Sequence, residues 1–447
     1  RDFTQREDEM LPLLFQDAGA RTTEDGAVTV LQGRGVGGST VHNTNLCKRA
    51  PDEVLASWAV GADGWRAQDL DPHYRVVERD LSVSKLEESD LNRNNALLKK
   101  GVEKLGWKGA LLSHNRRGCT RSGFCELGCA FDAKENALKV LVPDAVAHGA
   151  RVYADTRAER VLMAGGRAVG VEARALSADG RPGPRVTIKA AVCLSGSAVG
   201  SARLALESRL PDPNGAVGRG LRIHPGAAVA GIFDEVVEGW LGIPQSYECT
   251  EKLRFEEHQP DRTWIVPAFA HPIGIASALP GFGAAHMARM RLYPRIAIFV
   301  AMLHDQSAGS VAVEKQRLEV RYALDAGDQL ALLRGMRACA ELMLAAGART
   351  VVVPFARPIA LSDPSGLDAI VAHGYRPLDP LLTAVHPMGT LALGRVVDAR
   401  GRWNGLANLW VADGSLFPSS IGGPPQLTIY AAAHKVAGHL TEELGRR

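Results

Sequence analysis

The 447-residue sequence has no long apolar run, little net charge and an odd number of cysteines. No apolar run approaches the roughly 18 residues of a membrane-spanning helix, so no membrane span is expected. The net charge is only +3, without a long basic run, and nucleic acid is therefore not an expected partner. The seven cysteines are an odd number, and a chain of this length does not need a disulfide framework.

Glycine is abundant instead, with 47 residues, which predicts many tight turns and close backbone approaches, often to a ligand. The composition is that of a globular protein, and its length suggests two or three domains. No secretory signal is visible, and a cytoplasmic location is favoured. Because the chain begins at Arg1 rather than Met, we expect that an N-terminal segment, and with it any targeting signal, is missing.

Strand and helix patterns alternate without a strict rhythm, which predicts a mixed α/β chain with a sheet-rich domain inserted in the middle. Strands are predicted at 27–32, 151–153, 158–163, 168–174, 186–194, 264–270, 296–303 and 409–412. Helices are predicted at 137–141, 197–207, 328–346 and 427–444, and residues 51–106 are mostly helical in pattern.

Residues 33–38, Gly-Arg-Gly-Val-Gly-Gly, match the dinucleotide-binding pattern G-x-G-x-x-G. The continuation through Asn45 is a poor helix, and no acidic residue ends a following strand, so the pyrophosphate interpretation is weak. Two alternatives remain open: an ordinary glycine turn, or a loop without side chains that lies against a large planar cofactor.

The C-terminal part holds a second constellation. His386-Pro-Met-Gly-Thr is followed by a predicted strand that ends at Asp413-Gly414. Residues 424–429, Pro-Pro-Gln-Leu-Thr-Ile, then lead into the last helix, whose N-terminus favours an anion or an electron-rich edge.

Taken in order, these segments resemble the glucose–methanol–choline family of FAD-dependent oxidoreductases, and the resemblance covers nearly the whole chain. It implies that His386 is the catalytic base in the oxidation of an alcohol to a carbonyl compound by hydride transfer to flavin N5. The residues it assigns to FAD binding are Gly33, Arg34, Gly35, Gly37, Gly38, Ser39, His42, Asn43, Asn45, Ala158, Asp413, Gly414, Pro425, Gln426 and Thr428.

The resemblance also implies a discontinuous, Rossmann-like FAD-binding domain made of residues 1–50, 130–225 and 376–447. Residues 51–129 would form a helical region with the cysteine loop, and residues 226–375 an inserted α+β substrate-binding domain. The family's opening βαβ unit has no counterpart before Gly33, so this unit is expected to be missing.

Position 424 departs from the family's pattern, and position 42 leaves a choice between two roles open. The family pairs its catalytic histidine with a second His or Asn in the last loop, where this chain has Pro424, which lacks a hydrogen-bonding side chain. His42 resembles the histidine that some members bond covalently to the flavin. The alternative is a histidine that packs near the ring.

Three cysteines lie within eleven residues, Cys119, Cys125 and Cys129, on a glycine-rich loop. Three thiolates suit a three-iron cluster, and the spacing resembles that in a sugar-dehydrogenase branch of the family. Zinc with His114 as a fourth ligand, and a disulfide or buried thiols, are the alternatives.

The expected partners are a small-molecule alcohol and, if the cluster exists, an electron acceptor protein in place of oxygen. Because Pro424 lacks a hydrogen-bonding side chain and the family's opening βαβ unit is expected to be missing, two other functions stay open. One is a catalytically altered flavoprotein or electron-transfer subunit without alcohol oxidation, and the other is a lyase on the same scaffold.

Overall fold

A computed structural model describes residues 3–269, 271–279 and 281–445 as a mixed α/β structure. The α-helices are α1 Glu7–Leu14, α2 Asp52–Ala59, α3 Ala67–Asp80, α4 Arg93–Leu105, α5 Leu141–Ala147, α6 Ser197–Glu207, α7 Pro272–Ala278, α8 Gly283–Met290, α9 Ala326–Ala346, α10 Asp368–His373 and α11 Gln426–Gly445. The strands are β1 Val28–Val30, β2 Leu46–Cys47, β3 Val83–Lys85, β4 Gly109–Leu111, β5 Ser113–Asn115, β6 Thr156–Ala164, β7 Arg167–Leu176, β8 Pro182–Lys189, β9 Val192–Leu194, β10 Arg219–Arg222, β11 Gly226–Ile232, β12 Tyr247–Cys249, β13 Thr263–Pro267, β14 Ile296–Leu303, β15 Gly309–Glu314, β16 Arg317–Arg321, β17 Thr350–Val353, β18 Ile359–Leu361, β19 Leu382–Ala384, β20 Met388–Thr390 and β21 Leu409–Val411.

The largest sheet has nine strands, in the order β1-β19-β11-β14-β13-β12-β4, with β17 paired to β11 and β18 to β17. A four-stranded sheet follows the order β16-β15-β10-β20. The remaining sheets are β2-β5-β3, the hairpin sheet β6-β7-β8 and the parallel pair β21-β9. Strands from early, middle and late parts of the chain therefore meet in one sheet.

Helix α9 covers the nine-stranded sheet and carries much of the core. Asp325 caps its N-terminus by accepting a hydrogen bond from the Asp328 N–H at 2.8 Å, and the helix ends at Gly347, whose φ is +103°. Gly335 is needed where the helix meets the sheet, since a Cβ there would lie 2.5 Å from Thr263. Among the described residues no helix is long and apolar enough to cross a bilayer.

The local predictions that rest on strong periodicity are confirmed. The helix at 197–207 and the strand at 296–303 have the predicted bounds, and α9 and α11 begin within two residues of the prediction. The predicted strand at 264–270 is observed from Thr263 to Pro267, and residue 270 lies outside the described residues.

Three local predictions are wrong. Residues 151–153 are not a strand. Residues 186–194 are divided at 190–191 between β8 and β9, which belong to different sheets. The helix expected from 137 begins at Leu141, so Pro143 lies in its first turn, where proline is tolerated because those N–H groups have no intrahelical partner.

Candidate active site

The centre of the site is a pair of histidines. Nδ1 of His386 lies 2.9 Å from Nδ1 of His224, and the two ring centroids are 5.1 Å apart at an interplanar angle of 27°. At this distance one ring donates a hydrogen bond and the other accepts it. His224 is completely buried, whereas His386 keeps partial exposure. His386 is therefore the ring of the pair that a small molecule can reach.

Strand pairing explains why two residues 162 positions apart in sequence meet. Strands β10 and β20 are antiparallel, with Arg222 opposite Met388. The register shifts by one residue between Arg219 and Arg222, and the register of the Arg222–Met388 pair, continued by two residues, sets position 224 opposite position 386. The pair is thus an extension of the β10–β20 ladder.

The backbone around His224 is held by a buried carboxylate. The N–H groups of Ile223 and His224 donate to Asp305 at 3.0 and 3.3 Å, and the Tyr322 hydroxyl donates to the same carboxylate at 2.7 Å. His224 has a φ of +53°, which is uncommon for a residue with a side chain. Asp305 supplies the hydrogen bonds that keep this turn in place.

Burial keeps both histidines neutral. Desolvation lowers the pKa of His386 to about 3. The pKa of His224 is also well below its usual range, because of burial first and then because of the neighbouring His386 and His304. A neutral imidazole offers one ring nitrogen with a free lone pair, which is what a proton acceptor needs.

Sequence reasoning did not identify His224. It looked for the second polar residue at position 424, where Pro424 lies in the loop before α11 and has no donor or acceptor in its side chain. One signal was available: both members of the pair are His-Pro dipeptides that follow a predicted or observed strand, at 224–225 and 386–387.

The predicted cofactor loop is a compact turn rather than the start of an α-helix. Gly37 and Gly38 have φ values of +89° and +53°, and a single 3₁₀ turn, Gly38–Val41, follows. Gly33 is required by the chain itself, since a Cβ there would lie 2.3 Å from the Ser39 backbone nitrogen. A Cβ on Gly35 or Gly38 would meet nothing within 4 Å, so the loop borders open space.

Polar side chains join this loop to the start of α11. Asn43 donates to Gln426 at 2.7 Å, and Gln426 in turn donates to the Leu46 carbonyl. Thr428, also on α11, accepts from the Ala50 N–H at 3.2 Å. The structure therefore brings together the predicted residues from the two ends of the chain, with Pro425 immediately before the helix.

Asp413 joins β21 to the N-terminus of α6. Its carboxylate accepts from the Ser197 N–H at 2.8 Å, from the Ser201 hydroxyl and from the Ser415 N–H at 2.8 Å. A Cβ on the following residue, Gly414, would lie 3.2 Å from Ile429. The Asp413 carboxylate accepts its hydrogen bonds from groups of the protein itself. It would therefore assist cofactor binding by fixing the backbone around it.

Three of the predicted cofactor residues lie differently from the rest. Arg34 is exposed, and Ala158 is exposed on β6, which belongs to the separate hairpin sheet. His42 is buried against Phe15, with ring centroids 4.0 Å apart, and burial lowers its pKa to about 3. Its Nε2 has no hydrogen-bond partner among the described residues. The covalent link stays a prediction.

The three loop cysteines line one small cavity, together with Asn45 and Lys134. The cavity measures about 10 Å³, roughly enough for one water molecule. Burial raises the pKa of Cys125 to about 11, so this thiol is protonated at neutral pH when no metal is bound. Within the described ranges no group of three or more His, Cys, Asp or Glu is arranged to hold a metal ion.

As it stands, the cavity therefore does not fit a three-iron cluster. The zinc alternative has no better support, because Nε2 of His114 lies 3.0 Å from the Gln245 carbonyl oxygen and His114 does not line the cavity. All three cysteines are free thiols in the structure.

Lys134 connects the cysteine loop to the cofactor loop, and sequence reasoning missed it. Its buried ammonium donates to the carbonyls of Val41 at 3.1 Å, Cys125 at 2.9 Å and Asn43. Burial lowers its pKa to about 8. The residues on either side of His42 are thus fastened to the cysteine loop by one amine.

A cavity of about 1110 Å³ lies near the histidine pair, although neither His224 nor His386 is among its lining residues. Arg222, His304 and Asp305, all next to the pair in the fold, line it. Phe255 also lines it, and this side chain packs against the last loop, since a Cβ on Gly422 would lie 2.6 Å from its ring.

These observations fit FAD as the group that completes the site. Open space borders the glycine loop, and the buried Tyr430 hydroxyl and His42 Nε2 lack partners among the described residues. Gly33–Asn43 would lie along the flavin, and Gln426 and Thr428 would hold the same region from α11.

Comparison with known proteins agrees with this geometry. The GMC oxidoreductase profiles match residues 12–226 and 305–433. An uncharacterised GMC-type oxidoreductase of Mycobacterium tuberculosis is 34% identical over 444 residues, covering 95% of this chain and 67% of the relative. The long-chain-alcohol oxidase FAO4B of Arabidopsis thaliana is 26% identical over 466 residues, covering 96% of this chain and 61% of the relative.

Among solved structures, an FAD-dependent oxidoreductase from Chaetomium thermophilum superposes with a TM-score of 0.64 at 16% identity, covering 97% of this chain and 91% of that one. The likeness in structure shows the fold, and the profile matches and the mycobacterial relative show the family. This chain belongs to the GMC oxidoreductase family and is a flavoprotein oxidoreductase with that family's mixed α/β fold.

Proposed function

We propose that this protein oxidises an alcohol to a carbonyl compound with FAD, and that His386 is the base. The observation that carries the proposal is the neutral, partly exposed His386 ring, fixed by its contact with His224. The relative named as a long-chain-alcohol oxidase supports an alcohol as the substrate class.

FAD, when bound, supplies the acceptor for the hydride that leaves the carbinol carbon. His386 takes the hydroxyl proton at Nε2, since its Nδ1 is engaged by His224. The low pKa of His386 means that the ring is neutral over the whole neutral range, so one of its two nitrogens is free of a proton. The β10–β20 register and Asp305 hold the base in position, so the ring need not reorganise during the reaction.

We further propose that electrons leave the site without a cluster in the cysteine loop. The support is the size of the cysteine cavity and the lack, among the described residues, of a group arranged to hold a metal ion. The loop would then hold either three thiols or one disulfide and one thiol. Oxygen or an electron acceptor protein receives the electrons directly from the reduced cofactor.

The experiment is a visible absorption spectrum of the purified full-length protein under anaerobic conditions, before and after addition of alcohols from short-chain to long-chain. Loss of the oxidised flavin band on addition of an alcohol is the expected result. A flavin band that no alcohol bleaches would contradict the proposal and favour an electron-transfer subunit or a lyase.

A further inference from the structure

The ring of His224 has a second nitrogen that the alcohol oxidation described above does not use. The side chain is completely buried, and Nε2 has no hydrogen-bond partner among the described residues. An unpaired buried N–H or lone pair is costly, so such a group is normally satisfied by an ordered water molecule. Nε2 of His224 therefore indicates a second hydrogen-bonding partner of this ring besides His386.

The proton arrangement of the pair follows from the task of His386. To accept a proton at Nε2, this ring must carry its own hydrogen on Nδ1 and donate it to Nδ1 of His224. His224 must then carry its hydrogen on Nε2. If the shared hydrogen bond ran the other way, His386 would hold a hydrogen at Nε2 and could not act as a base.

A third histidine lies beyond His224. Nδ1 of His304 is also buried and lacks a partner within the described part of the chain. Leu303, the residue before His304, donates its N–H to the carbonyl of Pro225, the residue after His224, at 2.9 Å, so the two chain segments are adjacent. The next residue, Asp305, holds the backbone of His224, so the two histidines are fixed relative to each other. A water molecule between the two free nitrogens would satisfy both.

His304 lines the cavity of about 1110 Å³, and Arg222 lines it as well. The order His386, His224, His304 therefore leads from the proposed base to the cavity that His304 and Arg222 line. Each step joins a ring nitrogen that can donate to a group that can accept.

We propose that His224 and His304 form a proton relay, which sets the tautomer of His386 and carries the alcohol's proton to this cavity. The hydroxyl proton binds Nε2 of His386, the Nδ1 hydrogen of His386 passes to Nδ1 of His224, and the Nε2 hydrogen of His224 passes through water to His304 and the cavity. One proton enters and one leaves, and no oxidant is involved. The relay rests on the proposed function, because it needs His386 to be the base.

Three variants test the relay: His224→Gln, His304→Ala and, as a matched control, His271→Ala. His271 is equally buried with both ring nitrogens unpaired among the described residues, but it packs on Phe124, away from the pair. We expect kcat to fall by about 10²-fold in His224→Gln, at the low end of what a general base contributes, with KM little changed. We expect a smaller fall of kcat in His304→Ala and an unchanged kcat in the His271→Ala control.

Imidazole in the buffer should restore much of the kcat of His304→Ala, because the cavity beside it is large enough to admit the ring. A merely structural role would not be rescued in this way. Absence of rescue, or an equal loss of kcat in the His271→Ala control, would overturn the relay.

A second measurement does not depend on turnover. Nitrogen NMR of ¹⁵N-histidine-labelled protein reports the tautomer of His386, and we expect hydrogen on Nδ1 in the wild type and a shift toward Nε2 in His224→Gln. Hydrogen on Nε2 of His386 in the wild type would contradict the relay even if the variants fail to fold. If no alcohol is oxidised but His386 carries its hydrogen on Nδ1, the proposed function fails while the assignment of the tautomer to His224 survives.

Discussion

The histidine pair and the cysteine loop are both clusters of chemically reactive side chains, but different elements hold them. His224 and His386 extend the antiparallel ladder of β10 and β20, so the register of a sheet sets their distance. Cys119, Cys125 and Cys129 lie in a loop with one short 3₁₀ turn, Cys125–Leu127, and surround a cavity of about 10 Å³.

The histidine pair and the cysteine loop differ in what brings their residues into an arrangement that can do chemistry. A sheet register leaves little freedom, and the pair reaches hydrogen-bonding distance although its members are far apart in sequence. Closeness in sequence alone brought the cysteines to one cavity, but it did not arrange them as ligands. Four predictions test this contrast, beginning with the largest effect.

His386→Ala should leave FAD bound and slow its reduction by alcohol by at least about 10²-fold, because the reaction would lose the proposed base. Stopped-flow absorbance of the flavin band measures the rate. His148→Ala, on the exposed end of α5, is the control and should reduce at the wild-type rate. Equal rates in the two variants would show that the pair is not the reacting site.

Lys134→Met should lower the free energy of unfolding by about 3 kcal/mol or more, because three buried carbonyls lose their donor. Urea unfolding measures the change. Lys99→Met is the control, since Lys99 is partly exposed and paired to the exposed Glu88 at 2.8 Å, where the loss should be about 1 kcal/mol or less. Similar losses in both variants would mean that Lys134 does not fasten the two loops.

Stability should fall as the pH drops below about 6.5. Burial lowers the pKa of His42 to about 3 and those of His114 and His304 to about 4. The unfolded chain then binds protons that the folded chain does not, and each group weakens folding by about 1 kcal/mol per pH unit between 6.5 and 4. Urea midpoints at several pH values measure the slope.

His304→Gln removes one of these three groups and should make the pH dependence shallower. A slope that does not change in this variant would mean that His304 is protonated in the folded state at these pH values.

Cys119→Ser and Cys129→Ser should leave the rate of alcohol oxidation unchanged, because the proposed electron path does not use them. Iron and acid-labile sulfide, measured on anaerobically purified protein, should be near zero. About three irons per chain would contradict this prediction and show that the loop opens to hold a cluster.

The sequence predicted local structure and linear motifs well, and it failed where geometry depends on distant parts of the chain. The helix at 197–207 has a strong period and needs no partner to be recognised. His224 could not be identified from spacing, because its role depends on which strand β10 pairs with. The failed strand at 151–153 has the same cause, since Val152 and Tyr153 favour a strand but do not supply a neighbouring strand.

The separation of 162 positions between His224 and His386 has a consequence for the order of folding. A chain must close this long loop before the two rings meet, and such closures are costly in entropy and tend to come late. Helices α6, α9 and α11 can form from local contacts well before that. During refolding, helical structure should therefore return first and alcohol oxidation last, so that enzymatic activity reports completion of the fold.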